Sequence, residues 1–103
     1  MNRFFPYAAL LALSCAASGA LASSALAALQ GCMTCHGSPP RGDAPTFAQL
    51  ASRYAHYRDD PQAATQLADK LRKHHLLGNI SAHERVSEEN AQALMQWLIQ
   101  GAP

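Results

Sequence analysis

The chain has 103 residues, of which 49% are hydrophobic and 15% charged, with a formal net charge of +1. That length allows one small domain, and the near-neutral balance excludes a nucleic-acid binder driven by phosphate contacts. Beyond the N-terminus there is no basic run and no apolar stretch approaching the about 20 residues of a membrane helix.

Residues 1–22 read as a secretory signal peptide, which sends the mature chain to the periplasm without a membrane span. Arg3 supplies a positive n-region, and Ala8 to Ala17 forms a short apolar h-region rich in Ala and Ser. Two small-x-small cleavage sites follow, Ala20-Leu21-Ala22 and Ala25-Leu26-Ala27. Cleavage after Ala22 is preferred, because it leaves Ser23 to Gln30 as a short helix with Ser23 or Ser24 as its cap. The expected domain is therefore 23–103. A buried N-terminal helix and a lipoprotein anchored at Cys15 are the alternatives. Ala12-Leu13-Ser14-Cys15 is a poor lipidation signal.

Gly37 to Asp43 is a turn-rich loop. Thr46 and Gln49 have capping-box spacing, and Phe47, Leu50, Ala51 and Tyr54 fall on one stripe, predicting a helix. The next helix is expected to start with Asp60 as N-cap and Pro61 at its first position. Its stripe is Ala64, Leu67, Ala68 and Leu71; its cationic end is Lys70 to His75, and Gly78 stops it. Residues 79–86 read as a loop. Ser87 caps the last helix, Glu88 and Glu89 occupy its first turn, and Ala91, Leu94, Met95 and Leu98 form its stripe, widened by Trp97 and Ile99. Gly101 ends it. No segment has strand periodicity, so the fold class is all-α with about four helices.

A domain of roughly 80 residues seldom draws more than a few kcal/mol from its apolar core and usually needs a staple. With Cys15 in the signal, Cys32 and Cys35 remain, too close in sequence to build a disulfide framework. They belong to Cys32-Met33-Thr34-Cys35-His36, a Cys-x-x-Cys-His sequence that is the attachment signature of c-type haem. The two thiols form thioethers with the haem vinyl groups, and His36 is placed as the proximal iron ligand. Three other readings are weaker. A redox Cys-x-x-Cys wants a βαβ context, a zinc site wants four ligands, and a disulfide between Cys32 and Cys35 would close too short a loop to stabilise much.

The chain resembles the small bacterial class I c-type cytochromes over nearly all of residues 23–103. Gly31-Cys32-Met33-Thr34-Cys35-His36 is similar to the family's attachment segment. Asp43-Ala44-Pro45-Thr46-Phe47 is similar to its proline before an aromatic-led helix, and Val86 to Leu98 to its C-terminal helix. The resemblance implies helices wrapped around one covalent haem c. It also implies that the Pro45 carbonyl accepts the Nδ1 proton of His36, and that Trp97 packs near the first helix and Gly31.

One departure stands out. The family brings a methionine to the far side of the iron from the loop before the last helix, and residues 79–86 contain none. Met33 lies between the cysteines, pointing away from that face, and Met95 reads as core. The loop does contain His83, which becomes the expected distal ligand, with His75 or His74 as the alternative and an open or water-bound position as the third possibility. His56 is expected to be exposed. Arg41, Arg53, Arg58, Lys70, Arg72, Lys73 and Arg85 read mainly as solvated charges and secondarily as a docking rim, with Arg53 or Arg58 as a partner for a haem propionate.

These readings converge on a monohaem periplasmic electron carrier, bis-histidine ligated and of lowered potential, that meets a redox protein partner. It is not an enzyme in itself, although it could serve as a subunit of a periplasmic oxidoreductase. The alternative is a haem protein that binds or senses small ligands through a displaceable distal position.

Overall fold

A computed structural model describes residues 19–73 and 80–103. Most of the expected signal, along with His74, His75 and Gly78, lies outside the described residues. Those residues form six α-helices and one 3-10 turn with no strand, and none of the helices is long and apolar enough to cross a membrane.

Helix α1 spans Gly19–Leu29. It runs through both serines and through the Ala22 position. Its Ala27 is fully buried. Gly31 then takes φ of +75°, a left-handed conformation that costs other residues about 1–2 kcal/mol, and turns the chain into Cys32. Helix α2, Met33–His36, is a single turn whose His36 N–H donates to the Cys32 carbonyl at 2.9 Å.

Helix α3 spans Phe47–Tyr54 and starts as its sequence predicts. Thr46 Oγ1 accepts from the Gln49 N–H at 3.1 Å, and the Thr46 N–H donates to Gln49 Oε1 at 2.9 Å. Leu50 and Ala51 are buried, and the 3-10 turn Ala55–Tyr57 follows.

Helix α4, Ala63–Arg72, starts later than expected, with Gln62 rather than Asp60 as its N-cap. The Asp60 carboxylate instead accepts the Gln62 N–H at 2.9 Å, forming a turn ahead of the helix in which Pro61 sits. The helix also stops sooner, since Lys73 is already extended, upstream of the expected stop at Gly78. The 79–86 segment is not wholly loop, because Ser81–Glu84 forms the single-turn helix α5.

Helix α6, Glu88–Ile99, is the centre of the packing. Ser87 Oγ accepts from the Asn90 N–H at 3.1 Å, and α1, α3 and α4 all rest on α6. Ala27, Leu50, Ala68, Val86, Ala91, Leu94, Met95, Trp97 and Leu98 form one core cluster. Burying a side chain of Leu or Met size contributes about 1.5–3 kcal/mol. The ring of Phe47 meets Trp97 edge-on, with centroids 5.2 Å apart, and the Trp97 indole N–H donates to the Pro103 carbonyl at 3.1 Å.

Candidate functional site

The helices leave a cavity of about 630 Å³ between them, within the usual range for cofactor sites. Its wall is largely apolar, with Leu50, Leu71, Leu94, Met95 and Leu98 contributing from α3, α4 and α6. Cys35 and His36 line it from α2, Cys32 from the residue just before that helix, and His83 from α5.

No disulfide joins Cys32 to Cys35. Cys35 is exposed and Cys32 half-buried, and burial pushes the Cys32 thiol up. His36 Nδ1 lies 2.6 Å from the Pro45 carbonyl. A carbonyl only accepts, so Nδ1 must carry the proton, which leaves the Nε2 lone pair free. The arrangement follows from local sequence. The single turn of α2 holds the imidazole, and Pro45 sits immediately before the Thr46 cap that starts α3.

The rings of His36 and His83 have centroids 6.1 Å apart and planes inclined by only 12°. That spacing lies within the range of offset aromatic pairs. An ion bonded to both imidazoles, with about 2 Å to each nitrogen and about 1.1 Å from nitrogen to ring centre, would separate the centroids by about 6.2 Å, which the observed spacing also matches. Burial, and secondly the charge of His36, lower the pKa of His83, which favours a neutral ring with a lone pair to donate. Two histidines, two free thiols and an apolar chamber thus fit the covalent haem expected from the sequence. Among the described residues, no three His, Cys, Asp or Glu side chains gather into a cluster suited to a bare metal ion.

The remaining site residues divide clearly. Met95 is buried in the core and also forms part of the cavity wall, whereas Met33 is exposed. His56 is exposed as expected, with its ring 4.0 Å from that of Tyr57. Arg53 and Arg41 line the cavity. Arg58 is engaged elsewhere, donating from Nε to the Ile99 carbonyl at the end of α6 at 3.1 Å. Tyr54 also lines the cavity. The sequence reading placed it only on an apolar stripe, although tyrosine's polar tip on an otherwise apolar face was the available signal.

The family model for cytochrome c matches residues 21–101. No curated protein and no solved structure gives a significant match.

Proposed function

Because the chain belongs to the cytochrome c family and so carries covalently attached haem c, we propose that it is a monohaem electron carrier of the periplasm or an equivalent extracytoplasmic space. Cys32 and Cys35 are its thioether anchors, His36 its proximal ligand and His83 its distal ligand. The observation that carries the distal assignment is the 6.1 Å spacing of two near-parallel imidazoles across the cavity. Family membership favours a carrier over an enzyme. The export reading rests on the signal-like residues 1–22 and on the compartment in which such attachment chemistry is usual.

When bound, the haem supplies one-electron chemistry at iron. The protein's part is to hold both histidines in place, so that little rearranges when charge changes. The Pro45 carbonyl fixes the ring of His36 and strengthens it as a donor. The apolar wall keeps water from the metal side of the cavity, and Arg41 and Arg53 supply positive charge for the haem carboxylates. Axial methionine raises a haem potential, so a second histidine in its place lowers it. A redox protein is the natural partner, docking through a small transient interface.

Low-temperature electron paramagnetic resonance of the ferric wild type and of His83→Ala tests the ligand set. The wild type should show a low-spin bis-imidazole signal that the variant loses, and its optical absorption spectrum should lack the sulfur-to-iron band of methionine-ligated ferric haem. Identical low-spin signals in the two proteins would remove His83 from the iron.

A further inference from the structure

A histidine does not fix the plane of its own ring, because the torsion between Cβ and the imidazole has a broad minimum. The plane is set by what the ring touches. Two contacts to the ring of His36 come from the start of α3. The Pro45 carbonyl lies 2.6 Å from Nδ1 and holds one corner of the ring. Two residues on, the ring of Phe47 stands against it, with centroids 5.7 Å apart and planes inclined by 39°, inside the range of aromatic pairs. Phe47 is itself well held. It opens α3 directly after the Thr46–Gln49 capping box, and its ring meets Trp97 edge-on at 5.2 Å. Trp97 is in turn buried and bonded through its indole N–H to the Pro103 carbonyl. His36, thus oriented, lies within 12° of the plane of His83.

We propose that Phe47 is a positioning residue for His36, holding its imidazole plane nearly parallel to that of His83. This rests on the axial roles of the two histidines proposed above. A carbonyl that holds one ring nitrogen leaves the ring able to rock about that bond, and a flat neighbour braced from the core opposes the rocking. The arrangement of the axial ligands is one of the levers a protein has on a haem. Each axial imidazole splits the iron orbitals of π symmetry along the direction of its own ring. Parallel rings therefore reinforce one another and crossed rings cancel, and the spread of g values of the ferric low-spin protein reads the angle between them.

The test is low-temperature electron paramagnetic resonance of the ferric holoprotein with three substitutions. Phe47→Leu keeps an apolar side chain and removes the flat ring. Phe47→Tyr keeps the ring. Ile99→Val trims a fully buried side chain on the helix that carries Trp97 and is the control for a loosened core. The wild type should give a fully resolved rhombic signal, as parallel rings require. Phe47→Leu should broaden that signal and move its lowest-field line to lower field, whereas Phe47→Tyr and Ile99→Val should keep the wild-type signal. A lone, strongly low-field line in the wild type overturns the proposal without recourse to any variant. So does a wild-type signal in Phe47→Leu, or the same change in Phe47→Tyr or Ile99→Val. The two readings fail separately. An unchanged resonance signal in His83→Ala sinks the axial assignment itself, while loss of that signal in His83→Ala with an inert Phe47→Leu sinks the positioning role alone.

Discussion

The two histidines facing each other across the cavity are held in different ways. His36 sits one residue after Cys35, in a turn closed by backbone bonds, with its ring fixed by Pro45 and with Phe47 nearby at 5.7 Å between ring centres. Gly37 tightens this side further, because a Cβ there would stand 2.6 Å from the Met33 carbonyl oxygen. His83 stands on a single helical turn between residue 80 and the Ser87 cap, ahead of Val86, which is buried in the core and whose carbonyl accepts from Arg72 Nε at 2.8 Å. One side is locally determined. The other is assembled from parts distant in sequence, and it is where variation in ligand, potential and reactivity is cheapest to make.

The comparison breaks most completely at the anchors. If Cys32 and Cys35 anchor the haem as proposed, Cys32→Ala/Cys35→Ala removes both thioethers, and the binding energy lost with the haem is also folding energy. The double variant made alongside a working cytochrome-maturation apparatus should be colourless and lack a cooperative thermal transition by circular dichroism. His83→Ala should remain red and folded. A double variant that melts like the wild type would show that the helices need no staple.

Trp97→Ala comes next and reaches both sides, because Trp97 is buried in the core that backs the cavity and touches Phe47. Its loss should cost about 3–5 kcal/mol, the range for a buried aromatic. Denaturant melts of the holoprotein would measure this, and a cost under about 1 kcal/mol would contradict its placement in the core.

The same local-versus-distant division governs what was legible in the sequence. The attachment motif, the Thr46 and Ser87 caps, and the stripes of α3 and α6 were readable because each is a pattern within a few residues. Asp60-Pro61 misled because an Asp that caps a helix and an Asp that closes a turn on the residue two ahead carry the same local signal. Only the contacts beyond decide where the helix begins. Helix α5 escaped because four residues are too few to show a helical period. Arg58 looked like a partner for a haem carboxylate until the structure showed it bonded to the end of α6, forty-one positions along the chain. For His83, the sequence offered a candidate by elimination of methionine. Its approach to His36 depends on how α4 and α6 frame segment 80–86, which no short window encodes.

The smallest expected effect separates the two sides most cleanly. Thr46 and Ser87 make the same kind of cap, each accepting the N–H three residues on at 3.1 Å. Replacing either by alanine should cost about 1 kcal/mol, so chemical denaturation should scarcely tell them apart. Their positions differ, however. Thr46 follows Pro45, whose carbonyl orients a ring already tied to the motif, so Thr46→Ala should leave carbon monoxide binding to the reduced protein at the wild-type rate. Ser87 follows Val86, whose carbonyl bonds to Arg72 at the end of the distal segment. Fraying the start of α6 there should loosen that end of the segment, so Ser87→Ala should speed carbon monoxide binding several-fold for the same loss of stability. Equal rates in the two variants would mean that the distal side is as firmly built as the proximal one.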